Sequence, residues 1–177
     1  MKLIIWLGNP GKEYSKTRHS IGFTMLEDFV DSEKLGKFEY QSKWKAEILE
    51  TTVNDEKVIF LKPMEFMNRS WWAVGMIANF YKIEPKDILV IHDEIDLPVG
   101  KIQMKVWWSS AGHNGLKSII EKLWTKEFWR LRIGVDRPLN QADVADYVLD
   151  PFKDEEKNLI EDKAGEIEKY IKEFLGK

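Results

Sequence analysis

The apolar and polar positions divide the chain into alternating short runs and longer periodic stretches. Lys2–Leu7 is a nearly unbroken apolar run, which predicts a buried strand. Gly8-Asn9-Pro10-Gly11 breaks it with a strong chain-reversal signal. Thr17 stands where a helix cap would, and Gly22, Leu26, Phe29 and Val30 follow at helical spacing. Lys45–Thr52 and Lys57–Lys62 read as two strands joined through Asn54-Asp55, a predicted hairpin. Pro63–Arg69 reads as a loop, and Ser70 can cap a helix running to about Tyr81. Ile88–Ile91 is all apolar, as expected of a strand covered on both faces. Lys101–Val106 alternates as a strand, Gly115–Leu123 is helical, and Phe128–Val135 is a further strand with Arg130 and Arg132 on one face. Ile160, Ala164, Ile167, Ile171 and Phe174 step by four and three, which predicts one C-terminal helix packed on the sheet. Strands alternating with helices, plus one hairpin, predict an α/β fold: one domain over residues 1–177, a mixed twisted β-sheet with helices on both faces.

Length and composition narrow this picture. A chain of 177 residues can bury a substantial core, and 44% apolar with 32% charged residues suits a globular protein. No apolar stretch is long enough to cross a bilayer, and the N-terminus has no secretory-signal pattern. The absence of cysteine excludes disulfides, thiolate metal sites and Cys nucleophiles, and it fits a cytoplasmic chain. The net charge of −3 conceals an asymmetry. Residues 100–137 carry eight Lys/Arg against three Asp/Glu, and residues 138–177 carry six Lys against eleven Asp/Glu. A basic middle beside an acidic tail suits an anionic partner on one face, or simply a helix with a solvated acidic side.

The candidate chemistry follows the predicted strand ends. Asn9 follows the first strand, Asn68 the hairpin, Asp93 the strand Ile88–Ile91, and His113-Asn114 the strand Lys101–Val106. Sites in open α/β sheets form at the carboxyl ends of strands. Each residue alone is more simply a turn or cap residue. Jointly, with His19, they offer a base, a carboxylate to orient it and three neutral amides. A His–carboxylate pair can deprotonate water, and Asn side chains can donate to a developing oxyanion or a peptide group. No nucleophile elbow, zincin spacing or dinucleotide fingerprint is present, so direct attack by water is the natural chemistry.

Five blocks, LGNPGKEYSKTRHSIGF (7–23), KPMEFMNRS (62–70), ILVIHDEIDLPVGKI (88–102), AGHNGLKSII (111–120) and FWRLRIGVDRP (128–138), resemble bacterial-type peptidyl-tRNA hydrolase, in the family's order and over nearly the whole chain. The resemblance implies an enzyme that cleaves the ester between a peptide and the terminal ribose of tRNA. It implies a single α/β domain, usually monomeric, with no metal and no cofactor. By motif, His19 matches the water-activating base, Asp93 its orienting acid, and Asn9 the residue that separates blocked from free aminoacyl-tRNA. Tyr14, Phe66, Asn68 and Asn114 match positions binding the tRNA end and nearby peptide, and Met67 would line the peptide groove. Lys101, Lys105, Lys117, Arg130 and Arg132 are candidates to hold acceptor-stem phosphates, Lys105 and Arg132 foremost. A non-catalytic RNA-binding protein on the same fold is the alternative, and it would not need His19 and Asp93 together. A phosphorylase or peptidase ranks last, for want of a phosphate loop or metal-ligand spacing.

Two departures stand out. Ser20 follows the His where the family commonly has Asn. Trp6, Trp71, Trp107, Trp108 and Trp124 all fall where the family pattern has Gly. Two readings account for them: glycine codons translated as Trp, which UGG codons at these positions would contradict, or a Trp-rich variant whose aromatics stack on bases or peptide side chains.

Overall fold

A computed structural model describes residues 1–106, 109–140 and 143–176. Seven strands form one mixed sheet in the order β2-β3-β4-β1-β5-β7-β6. At its centre β1 (Lys2–Trp6) lies between β4 (Glu56–Pro63) and β5 (Ile88–Glu94), parallel to both. β5 is also parallel to β7 (Trp129–Gly134). The predicted hairpin is β3 (Ala46–Val53) with β4, and β2 (Glu39–Gln41) adds a short edge strand.

Alternation along β1 divides the core. Ile4 and Trp6 face α1 (Ile21–Ser32) and α6 (Ala164–Leu175), packed with Leu26, Phe29, Ile167 and Ile171. Leu3, Ile5 and Leu7 face α2 (Trp71–Tyr81) and α3 (Asn114–Leu123), packed with Val74, Ile77, Leu116 and Ile119. Helices thus cover both faces, as the apolar runs of β1 and β5 require. No helix among the described residues is long and apolar enough to cross a membrane.

Three expectations need correction. The C-terminal helix is two helices, α5 (Asp154–Glu161) and α6, broken at Asp162-Lys163. Ile160, Ile167, Ile171 and Phe174 are all buried despite the break, whereas Ala164 is exposed. A short helix, α4 (Val144–Leu149), precedes them in a stretch with no clear period. β6 (Ile102–Val106) runs antiparallel to β7, so its carboxyl end lies at the opposite end of the sheet from those of β1, β4 and β5. Finally, Ser70 and Thr17 do not cap helices with their side chains. Their hydroxyls donate to the carbonyls of Met67 and Tyr14 and tie down the loops before α2 and α1.

The tryptophans at glycine-like positions differ in their fit. Trp124 ends α3 in the left-handed conformation, φ 54°, and is 92% exposed. A residue with a Cβ is strained there, and packing offers no return. Trp6 is fully buried against Gly22 and Phe60, and its indole Nε1 finds no acceptor among the described residues. Trp71 opens α2, and Trp107 and Trp108 lie outside the described residues. Trp124→Gly is expected to raise stability by about 1 kcal/mol, and Trp124→Ala, which keeps the Cβ, much less. Thermal unfolding of the two variants checks this, with about 2–4 °C expected for Gly.

Candidate active site

The site lies at the carboxyl ends of β1, β4 and β5. His19 sits in a one-turn helix, Arg18–Ser20, that leads into α1. Its neighbour Arg18 is buried and anchors this turn. The Arg18 guanidinium donates to the carbonyls of Tyr147, Asp150 and Pro151 and pairs with Glu156 at 2.7 Å. The C-terminal segment therefore fixes the position of the residue beside it in the chain, His19.

Asp93, near the end of β5, is 3% exposed. The His19 Nδ1–H donates to its two oxygens at 2.8 and 3.0 Å. His113 Nε2 lies 3.0 Å from the same carboxylate on its other side. The tautomers follow from the partners. The backbone N–H of Leu116 donates to His113 Nδ1, so Nε2 carries the proton and donates to Asp93. Asp93 accepts from His19 Nδ1, which leaves His19 Nε2 with a lone pair and no hydrogen-bond partner among the described residues.

The charges follow from these contacts. Burial alone would raise the Asp93 pKa, but the charges and hydrogen bonds of His19 and His113 outweigh it and hold the carboxyl well below its ordinary range. Burial alone would lower the His19 pKa, but the charge and hydrogen bond of Asp93 reverse this, and it is raised above 6.5. His92, the residue before Asp93, is pushed down to about 3, first by burial and then by His113. It stays neutral, packed edge-on against the His113 ring with Nδ1 donating to the Asp93 carbonyl.

A cavity of about 320 Å³ opens onto this group. His19, Asp93, His113 and Asn114 form one side of its lining, and Val144, Ala145 and Val148 of α4 form an apolar side. Asn9 and Met67 form a second cluster, in which the Met67 N–H donates to Asn9 Oδ1 at 2.9 Å. Gly115 joins the clusters. A Cβ there would fall 2.6 Å from the Met67 sulfur, 2.9 Å from Leu7 Cδ1 and 3.1 Å from His113 Cε1, so the glycine leaves room for these side chains at the start of α3. Tyr14 and Phe66 pair edge to face at 6.3 Å, with Phe66 57% exposed. Asn68 is exposed in the turn before α2.

The structure therefore brings His19, Asp93 and Asn114 around one cavity and joins Asn9 to Met67 and Tyr14 to Phe66. It does not place Arg132 or Arg130 on a phosphate-binding surface. β7 is an inner strand, and both guanidinium groups lie in the interior. Arg132 pairs with Glu94 at 2.9 Å and donates to Gln103. Arg130 stacks on Phe128, and burial with the neighbouring Arg132 charge lowers its pKa to about 10. Lys105 is half-buried, whereas Lys101 and Lys117 are exposed. His113, which the sequence offers only as a strand-end candidate beside Asn114 with no role of its own, is the second side chain in contact with Asp93.

One atom from each of His19, Asp93 and His113 lies within 4.8 Å of the others, a donor set able to hold a transition-metal ion. Binding one would replace the Asp93 hydrogen bonds and the Leu116 bond to His113, all of which are satisfied without it.

The family model described as peptidyl-tRNA hydrolase matches residues 3–177. The chain belongs to the peptidyl-tRNA hydrolase family. A peptidyl-tRNA hydrolase of Mycoplasma capricolum is 45% identical over 177 residues, covering 98% of this chain and 92% of the relative. One of Lactobacillus acidophilus is 44% identical, covering 92% and 86%. Among solved structures, a peptidyl-tRNA hydrolase in complex with N-propanol superposes with a TM-score of 0.94 at 32% identity, covering 99% of this chain and 89% of that one. The Acinetobacter baumannii peptidyl-tRNA hydrolase gives 0.91 at 35% identity, covering 97% and 87%. The family's members are enzymes, and the α/β fold expected from the sequence is the fold these structures share with this chain.

Proposed function

We propose that this chain hydrolyses the ester between a peptide, or an N-blocked aminoacyl group, and the terminal ribose of tRNA, by water that His19 activates. The observation that carries the mechanism is the His19 Nδ1–Asp93 contact at 2.8 Å, which leaves Nε2 as a base. Nε2 takes a proton from water as the water oxygen bonds to the ester carbonyl carbon. Asp93 holds the imidazolium so formed. When the tetrahedral intermediate collapses, the carbon–oxygen bond to ribose breaks and the leaving oxygen takes the proton from His19. The products are a free carboxylic acid and tRNA with its terminal hydroxyl restored.

Asn9 supplies discrimination. Its Oδ1 is engaged by Met67, so its Nδ2 amide is the group left to donate. A blocked substrate carries an amide carbonyl next to the ester, which accepts such a donor. A free aminoacyl ester carries an ammonium there, which repels it. Tyr14 and Phe66 offer ring faces to the terminal bases, and Asn68 and Asn114 donate to the ester and nearby peptide. With Arg130 and Arg132 turned inward, the phosphate contacts fall to Lys101, Lys105 and Lys117. A non-catalytic RNA-binding role leaves the buried His19–Asp93–His113 arrangement without a use.

The purified chain is expected to release tRNA from N-acetylaminoacyl-tRNA and to leave free aminoacyl-tRNA largely intact. Equal cleavage of both would remove Asn9 from its role, and no cleavage of either would overturn the function.

A further inference from the structure

We propose that Ser20 is a positioning residue for Asn9 and, through it, sets the preference for N-blocked over free aminoacyl esters. The inference rests on the function proposed above. Ser20 directly follows His19, is 1% exposed, and occupies the cap position of α1, where a hydroxyl would ordinarily accept from the helix. It makes no such bond. Its Oγ accepts from the Asn9 N–H at 3.1 Å and donates to the Asn9 carbonyl at 3.3 Å. One hydroxyl thus holds both polar groups of the Asn9 backbone.

The turn around Asn9 needs this external anchor. It contains Pro10, which has no N–H to give, and Gly11 at φ 115°, a conformation that adds no rigidity of its own. Asn9 is only 7% exposed, so losing the Ser20 hydroxyl leaves a buried N–H and C=O unpaired. The Met67 N–H fixes Asn9 Oδ1. Three atoms of Asn9 are therefore held from outside the turn, two of them by Ser20, and Nδ2 is aimed by the other three. The residue that anchors the donor lies next to the base, so the reader of the blocked amine and the activator of water share one support. The family commonly has Asn at this position, and in this chain the shorter hydroxyl makes both bonds.

The test compares kcat/KM on N-acetylaminoacyl-tRNA and on free aminoacyl-tRNA for the unsubstituted chain, Ser20→Ala, Ser20→Cys, Ser20→Thr, Asn9→Ala and the Asn9→Ala/Ser20→Ala double variant. Cys nearly preserves volume but is a poor hydrogen-bonding group, so it separates bonding from packing. Ser20→Ala and Ser20→Cys are expected to lower kcat/KM on the blocked substrate about tenfold or more, because both buried hydrogen bonds to the Asn9 backbone are lost. Cleavage of the free ester stays unchanged, and Ser20→Thr, which keeps the hydroxyl, keeps the preference. In the Asn9→Ala background Ser20→Ala does not change the preference further, because the Nδ2 donor that the anchored backbone aims is gone. Equal losses on both substrates, or the same loss without Asn9, would overturn the proposal. A selective chain whose Ser20 variants stay selective defeats this inference alone, and a chain that cleaves neither ester defeats the proposed function with it.

Discussion

Replacing His19 by Asn is expected to lower kcat by about 10²–10⁴-fold, the contribution of a positioned general base. Asn is the informative substitution. Its amide can occupy the place of Nδ1 and keep donating to Asp93, which accepts from His19 at 2.8 and 3.0 Å. It has nothing to replace Nε2. His19→Ala would also leave Asp93, a carboxylate 3% exposed, with one partner fewer, and a loss of stability would confuse the result. Turnover on N-acetylaminoacyl-tRNA, with thermal unfolding of the same sample, separates the two effects. KM should change little, because Nε2 acts on water and touches the bound ester only in passing. Near-normal turnover in a folded His19→Asn variant would remove His19 as the base.

Asp93→Asn is expected to be as damaging, about 10³–10⁴-fold in kcat, by a different route. The wild-type carboxylate accepts from His19 on one side and from His113 on the other. An amide cannot accept on both sides. Its NH₂ must face one ring, and facing His19 it would favour the tautomer with the proton on Nε2, which is no base. The imidazolium would also lose the negative charge that holds it. The pH dependence distinguishes this from simple misfolding. Without the Asp93 charge the His19 pKa falls, so the acid limb of whatever activity remains should move to lower pH. An unmoved limb would show that Asp93 does not act through His19.

How far the sequence could be read depends on what each feature needs. β1 and β5 were legible because a strand covered on both faces must be apolar at nearly every position, and Lys2–Leu7 and Ile88–Ile91 are. The hairpin was legible because its turn chemistry is local. The direction of β6 was not. Alternation fixes which residues share a face, but pairing with β7 decides which way the strand runs. The same limit hid the fate of Arg130 and Arg132. Their spacing puts them on one face, and only the packed structure shows that this face is interior. The break at Asp162-Lys163 escaped because the apolar stripe continues across it into α6.

The site divides similarly. Asn9 and Asp93 stand at strand ends and His19 at a helix start, the family resemblance supplies their roles, and the structure places His19 and Asp93 in contact. The sequence gives His113 only a strand-end place beside Asn114. Its contact with Asp93 depends on where α3 begins, and on a glycine at 115 that admits Met67 beside it. A tertiary meeting of this kind leaves no period in the sequence.

If neutral His19 is the base, the pH profile of kcat/KM on N-acetylaminoacyl-tRNA must carry its titration. His19 must be unprotonated to act, and Asp93 holds its pKa above 6.5. The rate should therefore rise about tenfold per pH unit on the acid side, turn over above pH 6.5 and then level. Asp93 is ionised throughout this range, so it adds no second limb. A rate independent of pH between 5 and 8, or one that falls as pH rises through that range, would rule out His19 as the base.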